Sequence, residues 1–126
     1  MTIYQLLDQL VSDATEFYAL HQRYITDEWG TFRLTGETYR QKGEKDWAAA
    51  QDALFQLKVQ ASAPLPLLQR TSLTTVLNAM QGMQIRLTQR FAETPDDPAI
   101  QEDQAKSQCL WQALNQIDRE LYQQLG

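Results

Sequence analysis

The chain has 126 residues, 43% of them apolar and 10% aromatic, with a formal charge of -5 at neutral pH. Such a length and composition suit a single globular domain over 1–126 and exclude a largely disordered chain. The acidic balance, with a pI of about 4.7, speaks against nucleic acid as a partner, and mean hydropathy is -0.49.

No apolar run approaches the roughly 20 residues of a membrane-crossing helix, so no membrane partner is expected. No basic segment followed by an apolar one opens the chain, and the expected location is the cytoplasm. A single cysteine, Cys109, excludes an internal disulfide framework and a cysteine-based zinc site. A single histidine, His21, removes two-histidine metal sites and the di-iron design, which takes a histidine from each of two helices. The glycines are too dispersed for a phosphate-cradling loop. No catalytic residue, cofactor or metal is therefore expected.

In chain order, Thr2 and Gln5 have the spacing of a capping box, and Ile3, Leu6, Leu7, Leu10, Ala14 and Phe17 form an amphipathic stripe. The first helix is placed at 3–24. Residues 26–43 allow two readings. In one, Thr26 caps a helix bearing Trp29, Phe32, Gly36 and Tyr39 that Gly43 stops. In the other, 31–34 and 38–41 form a short β-hairpin around Thr35-Gly36-Glu37. The helix is favoured. A further helix over 44–61 carries Trp47, Ala50, Leu54 and Leu57. It ends at the Ala63-Pro64-Leu65-Pro66 break, since a residue before proline avoids the α region. The pattern resumes over 67–92 through Leu73, Val76, Met80, Met83 and Leu87. After a second break, Asp97 as N-cap and Pro98 at the first turn start a helix over 98–125. Leu110, Leu114, Ile117, Leu121 and Leu125 line it, and the first four are expected to pack against the first helix and 47–57. The whole reads as an all-α, four- to five-helix up-and-down bundle, with the hairpin at 31–41 as a variant.

Gly36, Tyr39 and Gly43 fall at the spacing of the tetratricopeptide repeat, a helix–turn–helix unit, with Trp47, Ala50 and Pro64 at later positions of the pattern. The segment resembles that repeat in part. Trp29 precedes Gly36 by seven residues instead of four, Thr35 replaces the usual leucine, and no second copy follows. An ordinary helical hairpin explains the same residues.

Few side chains suggest chemistry. His21 could act as a base oriented by Glu16 or Asp27, but five residues do not align Glu16 with it on a helix. A histidine in the last, exposed turn of a helix, where positive charge suits the dipole, is the simpler expectation. Cys109, beside Leu110 and Trp111, is expected to be buried and slow to react with thiol reagents. Asp96/Asp97 and Glu102/Asp103 lack the alternation of a calcium loop and suit helix starts. Trp47 and Trp111 read as core anchors, and Trp29 as an interface residue.

The charges are unevenly divided. Residues 1–52 hold nine acids and five bases, and 93–126 hold seven acids and two bases. Between them, 53–92 carry Lys58, Arg70, Arg86 and Arg90 and no acid. The simplest role for these bases is to meet the acidic start of the last helix. The other polar residues of this stretch are uncharged, as at the centre of a protein contact. The candidate interface is therefore Arg70, Thr75, Gln81, Arg86, Gln89, Arg90 and Trp29. The partner would be another protein chain, most simply a second copy in a homodimer. The leading functional expectation is a non-catalytic binding module, meaning an assembly, adaptor or regulatory subunit. The rivals are a ligand-binding protein or enzyme with an inter-helix pocket, and a small subunit of a nucleoprotein complex.

Overall fold

The computed structural model describes residues 2–61, 66–94 and 96–125. Ala63, Pro64, Leu65 and Pro95, on which the predicted breaks partly rest, lie outside them. Among the described residues there are four helices and no strand: α1 (Ile3–Tyr24), α2 (Tyr39–Gln60), α3 (Pro66–Ala92) and α4 (Pro98–Leu125). None is long and apolar enough to cross a membrane.

The helix starts follow from local chemistry. At α1 the Gln5 amide donates to Thr2 Oγ1 at 3.2 Å and the Thr2 amide to Gln5 Oε1 at 2.9 Å. This reciprocal pair satisfies two N–H groups that a helix start leaves without partners. Asp97 serves α4, its Oδ1 accepting from the Ala99 amide at 3.0 Å. The C-terminus of α1 has an equivalent device, in which Arg40 Nη1 donates to the Gln22 carbonyl at 3.3 Å and Arg90 Nε to the Tyr24 carbonyl at 3.2 Å. Two cations thus lie where the helix dipole favours positive charge.

Contacts between helix ends fix the topology. Lys58 of α2 meets Asp8 of α1 at 3.1 Å, and Arg23 of α1 meets Asp103 of α4 at 3.3 Å. Arg86 of α3 approaches Asp46 of α2 at 3.6 Å, and Arg70 of α3 lies 4.7 Å from the Tyr122 ring of α4. Each sequential pair and the α1–α4 pair therefore run antiparallel, giving an up-and-down bundle in which α1 and α3 also touch across the diagonal. Phe17, Leu57, Met80, Met83, Leu87, Phe91 and Leu114 sit at its centre with at most 1% exposure. Each such side chain contributes about 1.5–3 kcal/mol through burial.

Several expectations need correction. No helix starts at Thr26, and no two-stranded hairpin forms over 31–41. Residues 25–38 are a loop closed by one isolated bridge between Thr31 and Thr38. A second capping box decides this: Thr38 Oγ1 accepts from the Gln41 amide, and Gln41 Oε1 accepts from the Thr38 amide, both at 3.0 Å. That starts α2 at Tyr39, where the hairpin reading needed a second strand. Gly43 does not stop a helix but lies inside α2. Because Tyr39, Gly43, Trp47 and Ala50 share one unbroken helix, the turn of a tetratricopeptide unit is absent. Finally, among the described residues the backbone of α4 adjoins α1 and α3 and not α2, which lies diagonally across the core, and Leu110, Leu114, Ile117 and Leu121 are buried in the core that also holds Leu54 and Leu57.

Cys109 is also corrected. It is exposed, because the buried stripe of α4 runs through Ser107, Leu110 and Leu114 and turns residue 109 outward. Native Cys109 should react with a thiol reagent within a few-fold of its rate in denaturant. A rate a hundred-fold slower, on the order of a protected core thiol, would restore the burial expectation.

Candidate functional site

The notable chemistry of the bundle gathers where α2, α3 and the end of α1 meet beneath the loop 25–38. His21 is fully buried there, not placed in an exposed final turn, since the stripe that buries Phe17 and Leu20 continues to it. Its Nε2 accepts from Arg86 Nε at 2.9 Å. Nε2 is therefore the lone-pair nitrogen, and Nδ1 carries the proton. Nδ1 is itself buried without a hydrogen-bond partner. Burial, then the charges of Arg86 and Arg40, push the His21 pKa down to about 3, so the ring is neutral at physiological pH. Gly43 creates the space: a Cβ at that position would stand 2.4 Å from His21 Cε1 and 2.8 Å from Nδ1.

Arg86 is the other half of the network. Its side chain is 9% exposed. Burial lowers its pKa, and Asp46 opposes that shift. Asp46 is shared, because Lys42 donates to its Oδ1 at 2.7 Å while Arg86 Nη2 remains 3.6 Å from Oδ2. Two cations thus lean on one carboxylate. Gly82 lies against this pair: a Cβ there would stand in van der Waals contact with Arg86 Nη1 at 3.4 Å and Asp46 Oδ2 at 3.8 Å. Above this network a cleft of about 480 Å³ opens between α2 and α3, with Phe32 at its edge.

The loop 25–38 borders the cleft and is held firmly. The Phe32 amide donates to the Glu37 carbonyl, and the Gly36 amide to the Phe32 carbonyl, both at 2.9 Å. Gly36 has φ 71, a conformation that suits glycine. Phe32 and Trp29 pack on the Tyr39 ring with centroid separations of 4.7 and 5.3 Å, and Lys45 pairs with Glu37. At the tip Leu34 is 100% exposed. A depression of about 350 Å³ lies against it, lined by Phe32, Arg33, Leu34, Thr35, Glu37 and Lys42.

The sequence-derived interface residues do not form one patch. Gln81 and Gln89 are exposed on α3 and Thr75 is partly so. Arg86 is buried and belongs to the His21 network. Arg70 is committed to the Tyr122 ring at the far end of α3. Arg90 binds the Tyr24 carbonyl and approaches Glu93 at 3.6 Å. Half-buried Trp29 donates its indole N–H to Glu93 at 3.1 Å. The bases of 53–92 thus meet Asp8, Asp46, Glu93 and Tyr122 within the chain, not the acidic start of α4, although Arg86 Nη2 and Arg70 Nε lack a hydrogen-bond partner among the described residues. That start instead serves α1, where Asp103 meets Arg23 and accepts from the Tyr24 hydroxyl.

Sequence reasoning missed Leu34, the cleft and the pairing of His21 with Arg86. Only the Thr38/Gln41 capping spacing was legible beforehand, and it would have placed Leu34 in a loop. Among the described residues no group of three His, Cys, Asp or Glu side chains is arranged to hold a metal ion. Comparison with known proteins finds no match for this chain, whether a family model, a curated protein or a solved structure.

Proposed function

We propose that the chain is a non-catalytic, cytoplasmic protein-binding module, an assembly, adaptor or regulatory subunit. Its contact face would be the outer side of α3 together with the loop 31–38, and its simplest partner a second copy. The observation that carries this reading is Leu34, wholly bare at the tip of a hydrogen-bonded loop. Leaving a leucine in water forgoes about 1.5–3 kcal/mol of burial. Ile85, 49% exposed, lies on α3 among the uncharged Asn78, Gln81 and Gln89, a composition suited to the centre of a contact. The arginines of the original patch serve the fold behind this face.

Light scattering tests the reading. The unaltered protein should show twice its 14.5 kDa mass at high micromolar concentration. Leu34→Asp, or Thr75→Glu with Gln89→Glu, should return it to monomer without loss of helicity. A monomer from the outset would end the homodimer. Dissociation by Phe55→Asp alone would move the contact to the α1–α2 side, where Phe55 is 62% exposed.

A further inference from the structure

We infer that the cleft between α2 and α3 is a binding site for a small organic monocarboxylate, with Arg86 and Lys42 receiving its charge and Phe32 its carbon skeleton. The first observation is an arginine with unused donors. The Arg86 side chain is nine-tenths buried, and beside its 3.6 Å approach to Asp46 the one hydrogen bond it makes among the described residues is from Nε to His21. Nη2 is buried without a hydrogen-bond partner. Buried guanidinium groups are ordinarily paired and fully hydrogen-bonded. The second observation is the charge count. Lys42 and Arg86 share Asp46, and His21 is neutral, so the floor of the cleft carries one uncompensated positive charge.

The third observation is access. Gly82 sits inside α3, where glycine costs about 1 kcal/mol against alanine, and its missing Cβ lies 3.4 Å from Arg86 Nη1. A methyl group at 82 would rest against that nitrogen on the side facing α3 and take space that a ligand oxygen would need. With glycine, an oxygen atom can reach Nη1 along the surface of α3. Asn78, on the cleft wall, makes no hydrogen bond among the described residues and is free to donate to a second oxygen.

The same features select the ligand. One spare positive charge is neutralised by a monoanion, whereas a dianion such as phosphate would leave one negative charge uncompensated in the cleft. Ala49 and Ala79 leave the wall beside Phe32 low and apolar, which suits a ring or short carbon chain attached to the carboxylate. At about 480 Å³ the cleft has the size of a small-molecule site.

Sodium benzoate titrated into ¹⁵N-labelled protein tests this, with benzamide as the neutral isostere and inorganic phosphate as the dianion-bearing control. Benzoate should give saturable amide shifts centred on Thr75, Asn78 and Gly82, and benzamide none. Gly82→Ala suits a helix interior and meets only the end of the Arg86 side chain, so it should keep the fold while weakening benzoate roughly tenfold or more. Lys42→Met, at a half-exposed position, should weaken it several-fold. The inference is overturned by any of four results: no saturable shift, equal response to benzamide, tighter binding of phosphate than of benzoate, or unchanged affinity in Gly82→Ala.

Discussion

Truncation of Leu114 to alanine should lower the stability of the bundle by roughly 2–5 kcal/mol. Leu114 is fully buried in α4, one turn from Leu110 and Ile117, which retain 8% and 6% exposure at the edges of the same stripe. Because α4 packs on both α1 and α3, the vacated space is walled by two other helices and cannot be refilled by shifting one of them. Phe17, stacked near Trp111 at 6.2 Å, further fixes the α1 side. Such a loss is a large fraction of the roughly 5–15 kcal/mol that holds an ordinary domain folded. Urea unfolding at unchanged m-value would measure it. A change under about 0.5 kcal/mol, the size of a surface substitution, would remove Leu114 from the core.

The apolar stripes of α1, α3 and α4 were legible because each repeats at helical spacing over more than five turns and ends at proline, threonine or aspartate signals. The loop 25–38 was not, because its aromatic residues also recur at three- and four-residue steps. Trp29, Phe32 and Tyr39 read as a helix stripe, but in the fold they pack on one another around the Tyr39 ring. Gly30 permits this approach, since a Cβ there would stand 2.4 Å from the ring. The capping spacing of Thr38 and Gln41 carried the decisive information. Cys109 was misplaced because the residues next to it are apolar, whereas burial on a helix follows residues three and four away. His21 illustrates the limit of local reading. Its partner is 65 residues distant, and nothing near it in sequence distinguishes a buried neutral ring from a charged one at a helix end. The candidate site depends on that long-range pairing, so only its components were visible in the sequence.

Acidification below neutral pH should weaken the fold through His21. In the unfolded chain this histidine titrates near 6.5, and in the bundle its pKa is lowered to about 3. Between those values the unfolded state binds a proton that the folded state refuses. The contribution is therefore fully present above about pH 6.5, falls as pH drops below it, and is lost as pH passes about 3. From pH 7 to pH 5 the loss attributable to this one residue is about 2 kcal/mol. Asp13 and Asp118 act in the opposite sense, because burial raises their pKa values and favours the folded state in acid. Their effect offsets part of the histidine's, so the difference between the unaltered chain and a variant lacking the imidazole isolates the histidine. Unfolding free energies at the two pH values would give the loss, and a His21→Gln variant should flatten it. The chain's single histidine provides a direct check, since its ring C–H resonance is unambiguous. That resonance should stay unshifted from pH 8 to pH 5 in the folded protein. A midpoint near 6.5 would mean that the ring is solvated and charged, and that the Arg86 guanidinium has some other acceptor.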